Sequence, residues 1–380
     1  MANPTSTTDP NRFVSVINTF KEDILNSVPG NLASVYLVPE VYASIQVAID
    51  TAVLDGHDQY DPAVISVTPD SSTGTSVTDV QFTEDITLYD GIYLMSAVPH
   101  KRVNISGVLA LGSTALGTDL AGTADTTLWY LLRDVHFIAD GGGASLLNTS
   151  VNVVTRLDMI RVDMTNTGLI AADNCVTIDA TAIHTVNLDE CTWTTAGSNA
   201  ANYCLSVDGA AHVVTASNNC SLTVTGALTV NAVVVDDGAT FTASDTDITG
   251  LINLGATTAS FLNLTNGTVT GNVAAATGLV TFAANNASIA TAKFTKFIPN
   301  THVNIFTIGG ATNIIRGFNC SWEGRVTAIT AINSGAVAAV GAAGSSWEGG
   351  PVPNTAGAPA NSIAQMLYAN SAGGNAVIQV

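Results

Sequence analysis

The sequence predicts an all-β fold, a single-stranded parallel β-helix behind helical caps, and three observations predict it. First, residues 175–203 (CVTIDATAIHTVNLDECTWTTAGSNAANY) overlay 204–232 (CLSVDGAAHVVTASNNCSLTVTGALTVNA) at an offset of 29. The overlay sets Cys175 on Cys204, Asp179 on Asp208, Cys191 on Cys220 and Gly197 on Gly226. Second, one apolar slot recurs at Phe137, Met164, Trp193, Leu222, Ile248, Val269, Ile289, Trp322 and Trp347, with steps between 20 and 33 residues. Loops of unequal length inserted into one repeated unit give that variation. Third, short β-favouring runs such as Thr192-Trp193-Thr194, Leu222-Thr223-Val224 and Phe241-Thr242-Ala243 alternate between Gly, Asn and Asp turns. Strands of about three to five residues do not fold alone, but stacking each on its equivalent in the next turn pairs them in register at about 4.8 Å.

The elements follow in order. Residues 1–40 are expected to form a helical docking arm: Asp9-Pro10 reads as an N-cap with proline at the first helical position, and Phe13, Ile17, Phe20, Ile24 and Val28 recur at steps of three and four before Pro29-Gly30. Residues 41–100 hold a capping helix at 41–54, with Ile45, Ala48, Ile49, Ala52 and Val53 on one face, and the first rungs. The β-helix proper spans 101–350. From 351 to 380 the rung pattern stops, and a Pro-rich exit leads to a closing element around Ile363–Tyr368 and a final strand Ala376–Val380. Caps at both ends are physically required, because an open last rung templates aggregation.

The run YASIQVAIDTAV, followed by VISVTP, ITLYDGIYLM and VNISG, resembles the start of the pectin-lyase-like right-handed β-helix family. The likeness is detailed over about residues 42–107 and rests on period alone thereafter. The chain departs from the family where PDSSTGTSVTDVQF replaces a short glycine turn. The resemblance implies a right-handed winding. It fixes no function, since that family includes lyases, hydrolases and viral fibres alike.

Composition narrows the classes. Charged residues are 11% of the chain, the net charge is −19, and neither Lys nor Arg occurs between Arg161 and Lys293. Such a surface repels phosphate and anionic membranes, so neither nucleic acid nor membrane insertion is expected. A hydrophobic content of 47% excludes a disordered chain, and no run of eighteen apolar residues is present. An exterior this poor in charge is expected to be covered by other subunits. The start, MANPTSTTDPNRF, lacks the pattern of a signal peptide. Asn-x-Ser/Thr triplets such as Asn148-Thr149-Ser150 are read as turns.

Five cysteines (175, 191, 204, 220 and 320) include no CxxC pair and are read as reduced and buried. Asp189-Glu190-Cys191 beside Trp193 invites a nucleophile or metal reading, yet the same slot recurs at Asn219-Cys220 without its carboxylates. In-register stacking therefore expects Cys191 beside Cys220 and Cys175 beside Cys204 as inward ladders, with Phe137, Trp193, Leu222 and Ile248 forming another. A disulfide between stacked cysteines is the competing reading, because adjacent rungs bring Cα atoms near the permitted window of about 4.4–6.8 Å.

Sugar-cleaving β-helices use carboxylates about 5–10 Å apart on one face. Asp179 and Asp208, with Asp236 next, are the candidates, as turn residues, as a site for a divalent cation, or as catalysts. No other cofactor is expected. Trp322 and Trp347, in the repeated SWEG, are core or edge residues, or a platform for a glycan. Arg133, Arg156 and Arg161 occupy rungs from which they could face a groove. His184 and His212 are 28 apart, one short of the repeat, and need not stack; Gly141–Gly143 reads as a turn rather than a phosphate loop.

Two function classes fit. One is a non-enzymatic virion structural protein, a phage fibre, spike or capsid protrusion: a homotrimer held to other virion proteins by its arm and facing a host glycan or receptor. The alternative is a polysaccharide-degrading tail spike on the same scaffold. A bacterial adhesin would require an export signal.

Overall fold

The computed structural model describes residues 34–70, 80–112, 127–139, 145–148, 154–168, 174–179, 184–196, 202–209, 211–226, 230–255, 257–272, 278–282 and 287–298, and beyond these the strands to 379 together with Asn313 and Cys320. The chain is a parallel β-helix of three sheets. Among the described residues sheet A has 14 strands, sheet B 11 and sheet C 10, and apart from the two ends of sheet A each takes every third strand in chain order. One turn runs from Val154–Ile160 in sheet A to Asp163–Asn166 in B and Val176–Asp179 in C, and returns to A at His184–Asp189.

The corner between sheets A and B is built from residues with positive φ. Asp134, Arg161, Glu190, Asn219, Asp245 and Asn266 lie between 50° and 63°. Each donates its N–H to the next rung, Asp134 to the Ile160 carbonyl, Arg161 to Asp189, Glu190 to Ser217, Asn219 to Asp245, Asp245 to Thr265 and Asn266 to Lys293. Asn and Asp enter this region at the least cost among residues with a side chain, which is why NN, SD and TN precede the apolar slot.

Inside, the sheet B column runs Phe137, Met164, Trp193, Leu222, Ile248, Val269 and Phe297, and the backbone register continues to Trp322 and Trp347. Ile289 was expected in this column and is not in it: it pairs with Phe261 in sheet A, and Phe297 fills the slot. The corner of that rung is Phe294, at φ 51°, so the Asn pair at 285–286 marked the wrong position. The described members from Phe137 to Phe297 are at most 1% exposed. Full burial of such side chains contributes about 1.5–3 kcal/mol each. Tyr130, Leu157, Val186, Val214, Phe241, Leu262 and Ala290 form the matching column of sheet A.

The first turn is closed by the helix Ile45–Leu54, with Ile45, Ala48, Ile49 and Ala52 buried and Val53 half-buried. Ser44 caps it by accepting the Val47 N–H, and the Glu84 carboxylate accepts from Ile45 N at 2.9 Å, Gln46 N at 3.0 Å and Ser44 Oγ at 2.6 Å. An anion at that end complements the helix dipole. Ser34–Val38, which the sequence placed in the helical arm, is a strand paired in parallel with Ala63–Val67. The helix expected at 10–28 lies outside the described residues. At the other end, Ala364–Ala369 joins sheet A in parallel and Asn375–Gln379 pairs antiparallel with it. No helix among the described residues is long and apolar enough to cross a membrane.

Candidate functional site

The cysteine ladders come first. Cys191 donates its N–H to Cys220 Sγ at 3.4 Å, and one residue on, Thr192 pairs with Ser221. Cys175 and Cys204 sit one residue before the paired Val176 and Leu205. None of the five cysteines is in a disulfide, and all are buried. Burial pushes the Cys191 and Cys204 thiols well up, which keeps them protonated and poor nucleophiles. Glu190 belongs to the corner, where it lies 3.7 Å from Arg161, so the Asp-Glu-Cys triplet splits between exterior and core.

The acidic column is in register, Asp179 on Asp208 and Asp208 on Asp236. Asp208 is exposed. Asp236 accepts from the N–H groups of Asp237 at 2.7 Å and Thr257 at 3.0 Å, and Asp237 accepts from the hydroxyls of Thr257 and Thr258. These carboxylates hold a turn. Among the described residues no group of three His, Cys, Asp or Glu is arranged to hold a metal ion. Trp322 and Trp347 pair with one another on the sheet B column, and their side chains, like Gly141–Gly143, lie outside the described residues.

His184 and His212 do meet, contrary to the one-residue mismatch in their spacing. The loop before sheet A is one residue shorter on the later rung, so Thr185 pairs with Val213 and the two imidazoles stack with centroids 4.9 Å apart, both fully buried. His184 donates its N–H to His212 Nδ1 at 3.1 Å, and its own Nδ1 bonds Thr155 Oγ1. Further along the same column Ser260 N–H donates to Ser288 Oγ, and Ser288 N–H to Asn313 Oδ1. Polar side chains thus bridge successive rungs where sheet A begins. Burial, then the neighbouring His212, lowers the His184 pKa to about 4, so it stays neutral.

A concave feature lies on the outer face of sheet A. A groove of about 530 Å³ crosses four rungs, lined by Trp129, Arg156, Asp158, Asn187, Asp189 and Thr215 among others. Strand alternation places these residues outward, and register sets Trp129 beside Arg156 and Asp158 beside Asn187. Asp158 organises the site. It accepts from Trp129 Nε1 at 2.7 Å, from Arg156 Nε at 2.9 Å and from Asn187 Nδ2 at 2.6 Å. The Arg156 guanidinium lies 5.5 Å from the Trp129 ring centroid, and Tyr93 packs on the same indole at 5.6 Å. Asp189 accepts from Asn218 Nδ2 at 2.6 Å.

Such a groove offers a fixed guanidinium, an amide, hydroxyls and a carboxylate to a polar ligand. Asp158 is already engaged by three N–H donors and serves to position its neighbours rather than to deliver a proton. Of the three arginines considered, Arg156 lines the groove, while Arg161 makes a two-pronged pair with Asp134 at 2.7 and 3.0 Å and Arg133 lies 3.5 Å from that same carboxylate. Sequence reasoning missed Trp129, Asp158 and Asn187, and weighed Asp189 only as a neighbour of Cys191. Part of the signal is in the sequence: Asp158 and Asn187 are spaced by 29, the offset of the overlay, whereas Trp129 pairs with Arg156 at an offset of 27.

Comparison with protein-family models, with curated proteins and with solved structures gives no match.

Proposed function

We propose that this chain is a non-enzymatic structural protein of a virus particle, a fibre, spike or protrusion of the pectin-lyase-like kind, in which three parallel β-helices form a rigid host-facing rod. One observation carries the reading. The long regular stack presents outward columns of Thr, Ser and Asn, such as Thr165, Thr194, Thr223, Thr249 and Thr270 on sheet B, through a stretch without a single Lys or Arg. A continuous in-register core gives stiffness at little cost in composition, and an exterior poor in charge suits close packing of subunits. Imaging of intact particles with antibody against the chain tests it: labelled projections are expected, and label confined to unassembled protein overturns it.

A second reading, cleavage of a host polysaccharide, is favoured by the groove, which the Asp189 carboxylate lines together with the ordered Trp129, Arg156 and Asp158 cluster. Incubation with host surface polysaccharide decides between the two. Unchanged chain length supports the structural role, and shortened chains that persist in wild type but vanish in Asp189→Asn support the enzyme.

A further inference from the structure

The three outer faces of the winding differ in charge. On sheet C, the exposed Asp208 and the half-buried Asp236 pair in register. On sheet B, Asp163 and Asp247 stand outward, with Lys296 later. On sheet A, the strands Val213–Ser217, Thr240–Ser244 and Phe261–Thr265 place Val213, Thr215, Ser217, Thr240, Thr242, Ser244, Phe261, Asn263 and Thr265 outward, and none of these ionises. Two of the three large hydrophobics exposed among the described residues of these later rungs fall on the same face, and the third, Phe294, stands at its corner with sheet B. From residue 127 onward the exposed large hydrophobics among the described residues are Val213 at 36%, Phe261 at 37% and Phe294 at 55%. Val213, Thr240, Phe261 and Ile289 form one outward column by register.

From this juxtaposition we infer that the outer face of sheet A, from Val213–Ser217 to Phe261–Thr265, is where copies of this chain meet, with the Val213, Thr240 and Phe261 columns of three protomers converging on a common axis. The inference rests on the assembly proposed above and names its contact face. A chain of net charge −19 meets its own copy most cheaply where no carboxylate stands, whereas the sheet C column would bring like charges together. A second copy also supplies the right periodicity, since its rungs repeat at the same spacing of about 4.8 Å and can interdigitate along the whole face. The groove at Trp129 and Arg156 lies on earlier rungs of this face and borders the contact at Thr215 and Ser217.

Solution mass and cross-linking test it on the full chain. The wild type is expected at three chain masses, Phe261→Asp at one chain mass of 38.8 kDa with an unchanged circular dichroism spectrum, and Thr223→Asp on sheet B still at three. Thr242→Cys is expected to give disulfide-linked dimers with a mild oxidant and Thr223→Cys none, the five native thiols being buried. A wild type at one chain mass overturns both the contact face and the trimer. A trimeric wild type in which Phe261→Asp stays trimeric, or in which Thr242→Cys does not cross-link, overturns the face alone. If Phe261→Asp fails to fold, the Thr242→Cys result decides.

Discussion

The outer face of sheet A changes character along the rod while its inner face does not. On the rungs of Thr127–Arg133 and Val154–Ile160 the outward side chains are Trp129, Arg156 and Asp158, tied together by hydrogen bonds and a ring contact. Three rungs on they are Thr242, Asn263 and Phe261, with no ion pair among them. Beneath both stretches runs the same unbroken column from Tyr130 through Phe241 to Leu262. The inward column thus fixes the scaffold and leaves the outward one free to vary, because a strand's two faces are read independently at period two.

The largest test of that contrast is Trp193→Ala, expected to cost about 3–5 kcal/mol in urea unfolding because a large cavity opens between Met164 and Leu222. Its outward neighbour Thr194→Ala is expected to stay within about 0.5 kcal/mol. Equal losses at the two positions would break the comparison.

Between these lies Asp158→Ala, which strips the acceptor shared by Trp129, Arg156 and Asn187. A loss of about 1–3 kcal/mol is expected, together with a change in tryptophan emission as the indole loses its partner. Thr242→Ala, on the plain part of the face, should show neither. Unchanged emission in Asp158→Ala would mean that the carboxylate does not organise the groove.

Acid sharpens the picture further. His184 and His136 are both held near pKa 4, chiefly by burial, so as pH falls from about 6.5 to 4 the unfolded chain takes up protons that the folded chain refuses, and stability declines over that window. Asp163 works the other way. Burial raises it to about 6 against the nearby Arg102, so its contribution is full below about 3.8 and lost as pH rises through 6. Two histidines against one carboxyl give a net decline on acidification. His184→Gln should flatten it in urea midpoints measured at pH 7, 5.5 and 4.5, and an unaltered slope would remove the buried imidazole stack as its source. The smallest effect concerns the thiols: none is expected to react with a water-soluble thiol reagent in the native protein, and all five should react after unfolding.

Much of the winding was legible because each rung repeats a local signal. The overlay at 29 residues placed Asp179 on Asp208, and the structure pairs those two residues. The signal failed where a rung departed from the pattern. Phe294 replaces the usual Asn or Asp at the corner, and Ile289 took the place of Phe297 in the reading. A one-residue difference in loop length hid the contact of His184 with His212.

By itself the sequence determined the parallel stacking, since alternating short strands of repeated pattern bury their apolar slots only on one another. It also determined the charge-poor exterior, which composition states directly. Only the tertiary structure decided which outward residues share a face, gathering Trp129, Arg156, Asp158 and Asn187 at one groove and Val213 with Phe261 on one column. Successive members of each column are one rung apart in space but 20 to 30 residues apart along the chain. Whether they meet depends on the length of every intervening loop, which strand patterning does not fix.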